Sequence, residues 1–312
     1  DFACTPRLSS AGEGRSEMEK ILIDAGPSPK SLHRVTDALF CLQWYAYRHV
    51  AKLPFATARP LIRGALFHQG MAQLGARTWA RQNGRDPEGY YEPLVGVDLL
   101  AERERPRWGV HVDTERGAAK DAITAYQGAF QTERDRILHV EHVFEFVVKG
   151  PRTGRTWTYT QKPDVVMQDS YTGEIYIPDW KTFSGHYKED TLTGYGMDMQ
   201  FLAFQWWGPR VFGKQFGGAR VHLVGLTEPR VYKKVPVPAS PNLVSRFPEI
   251  IEDAELTLER LEGRDPFHYP PAANERTCVG RYGPCPAVQT CAWGRSVGPV
   301  DPALINFRTE GL

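Results

Sequence analysis

Two neighbouring stretches decide the fold: Lys162-Pro163-Asp164-Val165-Val166 and Ile175-Tyr176-Ile177-Pro178-Asp179-Trp180-Lys181-Thr182. Both are rich in β-branched and aromatic residues, which is typical of strands. The segment between them, Asp169-Ser170-Tyr171-Thr172-Gly173, has the polar residues and the glycine of a turn. We therefore predict a hairpin with strands at about 164–169 and 174–181.

The hairpin brings acidic and basic side chains to one place. Residues two apart on a strand share a face, so Asp179 and Lys181 point the same way. Asp164 starts the partner strand, and pairing places its carboxylate beside that of Asp179. Carboxylate oxygens hold Mg²⁺, and a cation beside them can orient an attacking water. The alternative is an ordinary hairpin with an exposed Asp–Lys pair, because a bare D-x-K triplet is common.

The rest of the chain predicts an α/β fold with a central mixed sheet flanked by helices. Alternation with a period of two predicts further strands, and apolar residues at helical spacing predict helices. Residues 83–117 are mixed, with Arg103–Arg107 as a charged loop. The predicted strands are about 140–148, 155–162, 219–225 and 230–236; the helices are about 32–50, 60–82, 118–138, 194–207 and 242–262.

Composition limits the class of protein. The 312 residues carry a formal net charge of +1, with 41% hydrophobic and 12% aromatic residues, which argues for a globular fold. No apolar run approaches the roughly 18 residues of a membrane span. The first residues lack the pattern of a signal peptide, so we expect a cytoplasmic location. We divide the chain into an N-terminal helical segment (1–60), a core (61–240, with a helical insertion at about 83–138) and a C-terminal helix with a cysteine-rich tail (241–312).

The five cysteines form an unusual set. Cys278, Cys285 and Cys291 lie close together in a Gly- and Pro-rich tail, whereas Cys4 and Cys41 are far from them in sequence. An odd number in a chain of this length does not indicate a disulfide framework. In a reducing compartment, such a group more often binds a metal. Four thiolates suit either an iron–sulfur cluster or Zn²⁺, and free thiols are the remaining alternative.

With Pro163-Asp164 and Asp179-Trp180-Lys181 as its signature, the chain resembles the PD-(D/E)xK nuclease superfamily. More narrowly it resembles the RecB-type exonuclease branch, which includes adaptation nucleases and many phage nucleases. Gly64-Ala65-Leu66-Phe67-His68 fits that branch's G-x-x-x-H helix. Gln200-Phe201-Leu202-Ala203-Phe204 fits its Q-x-x-x-Y motif, except that Phe204 replaces the tyrosine.

The resemblance implies roles for these residues. His68, Asp164, Asp179 and the Pro178 carbonyl would bind Mg²⁺ or Mn²⁺. Lys181 would position the attacking water, and Gln200 would support the site. Glu141, on the preceding strand, is a weaker candidate for a second metal ligand.

The resemblance also extends to the cysteines. Iron–sulfur members of the branch have one cysteine before the nuclease core and three after it, and Cys41, Cys278, Cys285 and Cys291 follow that order. The last pair has the family's C-x5-C spacing, whereas six residues separate Cys278 from Cys285 where two are usual. A structural 4Fe–4S cluster is therefore favoured over Zn²⁺, with Cys4 as the spare.

The resulting hypothesis is a metal-dependent DNA nuclease, most simply an exonuclease acting on single-stranded DNA or DNA ends in recombination, repair, replication or adaptation. A helicase, recombinase or other DNA-processing protein would be its partner. The alternatives are a structure-specific endonuclease and a DNA- or partner-binding module that does not cut. Basic residues offer phosphate contacts, with a solvated surface face as the alternative: Arg59, Arg63, Arg77, Arg81, Arg85, Lys149, Arg152, Arg155, Lys162, Arg230, Lys233 and Lys234.

Overall fold

The computed structural model describes residues 20–53, 55, 57–131, 134–183, 194–226, 232–272, 278–280, 283–285, 287 and 291. The main strands are β1 Arg136–Val140, β2 Phe144–Lys149, β3 Thr156–Gln161, β4 Val165–Gln168, β5 Ile175–Phe183, β6 Phe216–Gly225 and β7 Tyr232–Pro236. Two short strands, β8 Val279–Gly280 and β9 Gly283–Pro284, follow near the end. The helices are α1 His33–Phe40, α2 Leu42–Tyr45, α3 Arg59–Gln82, α4 Pro93–Trp108, α5 His111–Gln131, α6 Met199–Phe212, α7 Pro241–Ser245 and α8 Phe247–Leu261.

A five-stranded mixed sheet in the order β1-β4-β5-β6-β7 forms the centre. β5 and β6 are parallel, while β1 pairs with β4, β4 with β5, and β6 with β7 in antiparallel fashion. β2 and β3 pair with each other as a separate ribbon. The predicted fold class is confirmed in its mixed sheet flanked by helices and in its helical N-terminal part.

Each face of the sheet has its own core. Tyr176 and Trp180 of β5 pack with the bundle of α3, α4 and α5. Ile177 of β5 and Val221 of β6 pack on the other face with α6, α8 and the β2–β3 ribbon. Because β5 is covered on both faces, its residues from Ile175 to Trp180 are all buried.

The region between α3 and β1 corrects the sequence prediction. The predicted charged loop at Arg103–Arg107 is wrong, because these residues belong to α4, which continues to Trp108 with Pro106 in its last turn. Their charges pair along the bundle surface, as Arg105 does with Glu102 and Asp113 at 2.9 Å each. The helix predicted at 118–138 begins earlier, at His111, and ends at Gln131.

Two other predicted helices are divided. The helix predicted at 32–50 breaks at Cys41, whose backbone is extended, and it resumes as α2 and a π-helical turn over Ala46–Val50. The helix predicted at 242–262 divides into α7 and α8 at Arg246, and Pro248 occupies the first turn of α8. That is where a proline without an N–H is tolerated.

The turn of the β2–β3 ribbon is fixed to α8 by Glu252. The fully buried carboxylate accepts hydrogen bonds from the Thr153 backbone N–H at 2.8 Å, the Thr153 hydroxyl at 2.6 Å and the Arg152 backbone N–H at 3.1 Å. Burial opposes ionisation, but the hydrogen bonds from Thr153 and Arg152 outweigh it and lower the pKa of Glu252 to about 2. Gly150 permits the close approach, since a Cβ there would lie 2.4 Å from Glu252 Oε1.

Within the described part of the chain, none of the helices combines the length and the apolar character needed to cross a membrane.

Candidate active site

The site lies where β4 and β5 separate. Their pairing is confined to Met167 with Tyr176 and Gln168 with Ile175. Beyond that point Pro178, which lacks an N–H, costs the sheet no hydrogen bond to β4. The Trp180 N–H instead donates to Oδ2 of Asp164 at 3.1 Å. Asp164 and Asp179 lie on either side of this separation, close enough for the charge of Asp164 to act on Asp179.

Asp164 pairs with His68 from the middle of α3. Nδ1 of His68 lies 3.1 Å from Oδ1 of Asp164, and their side chains are 26% and 14% exposed. Burial lowers the pKa of His68, but the Asp164 charge outweighs that effect and raises it to about 9. Burial likewise opposes ionisation of Asp164, yet the His68 charge holds its pKa below the ordinary value. The pair is thus an ion pair at neutral pH.

Asp179 and Lys181 form the second pair. Nζ of Lys181 lies 2.7 Å from Oδ2 of Asp179. Gln200, in the first turn of α6, donates from Nε2 to Oδ1 of Asp179 at 2.8 Å. Burial raises the pKa of Asp179, and the nearby Asp164 adds to that rise. Burial lowers the pKa of Lys181, but Asp179 outweighs it and holds that pKa above its usual value, so the ammonium is charged at neutral pH.

The residues offer a donor set suited to a hard divalent cation. Oδ2 of Asp179 is buried and, apart from the ion pair with Lys181 at 2.7 Å, has no hydrogen-bond donor. Pro178, whose carbonyl precedes Asp179, lies in the same stretch of β5. Among the described residues, no three His, Cys, Asp or Glu side chains already stand as a metal-binding group. In this arrangement the carboxylates face His68 and Lys181 instead.

Glu141 lies beside the site but is already paired. Its N–H donates to the Asp164 carbonyl at 3.0 Å, and its backbone has a φ of 47°, which is uncommon for a residue other than glycine. Oε2 of Glu141 lies 3.5 Å from Nζ of Lys162, and both side chains are nearly buried. Burial, together with the charge of Asp164, raises the pKa of Glu141 well above its ordinary value.

The first turn of α6 is fixed by residues that the sequence analysis did not single out. Asp198 caps the helix, accepting the Gln200 N–H at 2.8 Å. Gln161, the last residue of β3, donates to the Gln200 carbonyl at 3.2 Å. An Asp just before a helical run is a recognisable cap signal, whereas nothing in the sequence marks Gln161. Phe204 is buried in the core and has no polar group to contribute to the site.

Most of the basic residues considered for phosphate binding are engaged within the protein. Arg59 and Arg63 both pair with the buried Glu115, at 2.8 Å and 3.3 Å. Other pairs are Arg77 with Glu88 and Glu92, Arg152 with Glu252 and Asp253, and Arg155 with Glu259. Arg230 lies outside the described residues. These side chains already have acidic partners within the protein, so they are not free cations for binding phosphate.

The four cysteines of the proposed cluster meet in one region. The Cys285 N–H donates to the Cys278 carbonyl at 2.7 Å, and Sγ of Cys41 accepts the Ala272 N–H at 3.4 Å. Burial raises the pKa of the Cys285 thiol, and the neighbouring sulfurs of Cys41, Cys278 and Cys291 raise it further. Cys4 lies outside the described residues. The fold therefore brings Cys41 near three cysteines that lie more than 230 residues later in the sequence.

No family model and no curated protein matches this chain. Among solved structures, a candidate exonuclease from Eubacterium rectale superposes with a TM-score of 0.46 at 11% identity, covering 88% of this chain and 91% of that one. The structure of SSO0001 matches with a TM-score of 0.29 at 12% identity, covering 51% and 70%. Neither likeness is close enough to assign an activity, which therefore depends on the site itself.

Proposed function

We propose that this protein is a metal-dependent deoxyribonuclease of the PD-(D/E)xK type, most simply a RecB-type exonuclease that hydrolyses single-stranded DNA or DNA ends. The observation that carries the proposal is the convergence of Asp164, Asp179 and Lys181 where β4 and β5 separate, with Gln200 bound to Asp179. Residues from the start of β4, from β5 and from the first turn of α6 supply two carboxylates, an ammonium and an amide at one point.

The roles follow from the chemistry of each group. Asp164, Asp179, the Pro178 carbonyl and His68 would hold Mg²⁺ or Mn²⁺. When bound, the cation polarises a phosphoryl oxygen and lowers the pKa of an attacking water. Lys181 is a cation at neutral pH, so it donates hydrogen bonds and does not remove the proton. It would orient the water and stabilise the negative charge that develops on the phosphoryl oxygens.

The cysteine region would hold a 4Fe–4S cluster through Cys41, Cys278, Cys285 and Cys291. Its proposed role is structural, since the Gly- and Pro-rich tail has little apolar periodicity in its sequence and Cys285 lies near Cys41 of the N-terminal helices. A DNA-processing protein such as a helicase or a recombinase is the proposed partner, because an end-directed nuclease needs exposed strands.

The proposal is tested with DNA cleavage by the wild-type chain and by Lys181→Met. Protein prepared anaerobically is incubated with linear single-stranded DNA and Mg²⁺ or Mn²⁺. We expect metal-dependent cleavage by wild type and a loss of about 100-fold or more in the variant, the scale for losing one stabilising donor. Lys214→Met is the matched control, because Lys214 is an exposed lysine just after α6, and it should cut at the wild-type rate.

Circular single-stranded DNA distinguishes an exonuclease from an endonuclease. An exonuclease leaves circles intact, whereas cleaved circles would establish an endonuclease. Absence of cleavage of either substrate by wild type, with DNA still bound, would replace the nuclease with a binding module.

A further inference from the structure

Gln161 occupies a position that links the two halves of the candidate site. It ends β3 and lies three positions before Asp164 in the chain. Its side chain reaches α6, which carries Gln200. It is 6% exposed, so solvent cannot substitute freely for its partners. One buried amide therefore joins the segment that leads to Asp164 with the helix that contacts Asp179.

The orientation of this amide is fixed by its partners. The indole N–H of Trp207 donates to Oε1 of Gln161, and an indole nitrogen can only donate. Nε2 must therefore face the other way, where it donates to the Gln200 carbonyl at 3.2 Å. Trp207 and Gln200 are seven residues apart, about two helical turns, so the amide contacts one face of α6 at two points.

The contact is transmitted to the reacting groups through Gln200. Its backbone is fixed from one side by Gln161 and from the other by the Asp198 cap, which accepts the Gln200 N–H. The Gln200 side chain then donates to Oδ1 of Asp179 at 2.8 Å. A displaced first turn of α6 would therefore move the donor that orients the Asp179 carboxylate.

We propose that Gln161 is a positioning residue of the active site, setting the place of Gln200 and through it the orientation of Asp179. The inference rests on the proposed nuclease function and deepens it. Gln161 is buried and its side chain contacts Gln200 and Trp207, so its removal should reduce turnover without weakening DNA binding.

Two variants distinguish the contribution of the Gln161 donor from that of its acceptor. Gln161→Glu keeps the shape and the acceptor for Trp207 but sets a carboxylate oxygen against the Gln200 carbonyl. Gln161→Leu removes both hydrogen bonds. In Mg²⁺-dependent cleavage of linear single-stranded DNA, we expect kcat to fall by roughly 10- to 100-fold in both, with KM within about twofold of wild type.

The dependence on pH distinguishes positioning from a general loss of stability. As pH is lowered from about 8 to about 6, the buried carboxyl of Gln161→Glu takes up a proton and can donate to the Gln200 carbonyl. The ratio of its kcat to that of wild type should therefore rise, whereas the ratio for Gln161→Leu should stay constant.

Gln82→Glu is the matched control. Gln82 also bridges two backbone groups, donating to the Asp135 carbonyl at 3.0 Å and accepting the Ile137 N–H at 2.8 Å, but it is the last residue of α3, about four helical turns beyond His68. This variant should lower the melting temperature and leave kcat unchanged. Equal kcat for wild type and both Gln161 variants would overturn the inference while the nuclease function stands.

A readout without DNA or metal keeps the two proposals separate. Amide hydrogen exchange over the first turn of α6 should be faster in both Gln161 variants and unchanged in Gln82→Glu. If wild type proves unable to cleave DNA, the function fails, and exchange alone decides whether Gln161 fixes this turn. Unchanged exchange in the Gln161 variants would contradict the positioning role in either case.

Discussion

At the scale of the residue, each acidic side chain of the candidate site has a cationic neighbour within hydrogen-bonding distance. His68 faces Asp164 at 3.1 Å, and Lys181 faces Asp179 at 2.7 Å. Buried charges are tolerated when they are paired, whereas removal of one partner leaves the other uncompensated. The charges of these four groups therefore balance one another, and the balance depends on the protonation of His68.

The stability of the metal-free protein should fall in alkaline solution because of His68. Its pKa is about 9 in the folded chain against an ordinary value of 6.5, so folding binds this proton more tightly. The stabilisation is complete below about pH 6.5 and is lost as pH rises through about 9. Urea unfolding in the presence of a chelator measures this slope, which His68→Gln should flatten.

His268→Gln provides the control, since His268 is exposed at the surface beside Asp265. This variant should keep the wild-type slope. If the free energy of unfolding of His68→Gln has the same dependence on pH as that of wild type, the His68–Asp164 ion pair does not contribute to stability.

At the scale of the element, the sequence predicted α3 and the strands β3 to β6 closely but missed most of β1 and all of α4. The single strand predicted at about 140–148 divides into the last residue of β1 and most of β2, which lie in different sheets. β4 and β5 were predictable because turn residues and β-branched residues occur together over a short range. α4 was missed because a proline among charged residues is typical of a loop. The charges of this helix are accounted for by ion pairs with α5, such as Arg105 with Asp113, which the sequence does not show. Spacing on one strand placed Asp179 beside Lys181, and the family resemblance pointed to His68 and Gln200. Gln161 could not be predicted, since its contacts are 39 and 46 residues away.

Close packing of α3 on the neighbouring helices depends on Gly70. A Cβ at Gly70 would lie 2.3 Å from Cδ1 of Ile123 and 3.0 Å from Cγ2 of Val97, and both neighbours are fully buried. Gly70→Ala should therefore destabilise the chain by about 1–3 kcal/mol, the usual cost of overpacking. Denaturant unfolding monitored by tryptophan fluorescence measures the loss.

Gly64 on the same helix is the comparison. Nothing lies within 4 Å of a Cβ placed there. Gly64→Ala should therefore stabilise the protein by about 0.5–1 kcal/mol through helix propensity alone. Equal effects of the two substitutions would show that packing around Gly70 is looser than described.

At the scale of the whole molecule, α1 connects the sheet to the cysteine region. Leu32 and Val35 pack in the core that contains Phe201 of α6, whereas Ala38 packs with Leu258 and Tyr269. Cys41 ends the helix. A group bound by Cys41 and the three tail cysteines would therefore hold the end of the chain against the same helix that supports the core.

Loss of one cluster ligand should release this connection. Cys285→Ala is expected to lose the bound iron, the broad absorption near 400 nm that is typical of iron–sulfur proteins, and at least about 5 °C in melting temperature, or roughly 2 kcal/mol. Cys4→Ala should keep the bound iron, the absorption near 400 nm and the wild-type melting temperature. A colourless wild-type protein with stoichiometric zinc would contradict the iron–sulfur assignment while preserving the four-cysteine site.

The carboxylate of Glu252 has a consequence for how the chain is made. It satisfies the Thr153 N–H from 99 residues further along the sequence. Translation at about 5–20 residues per second puts roughly 5–20 s between the synthesis of the two residues. During that interval the ribbon turn faces water, and its final closure waits for the arrival of α8. We expect ribosome-bound chains in which Glu252 has not yet left the exit tunnel to be cleaved by protease near Thr153, and chains in which α8 has fully emerged to resist.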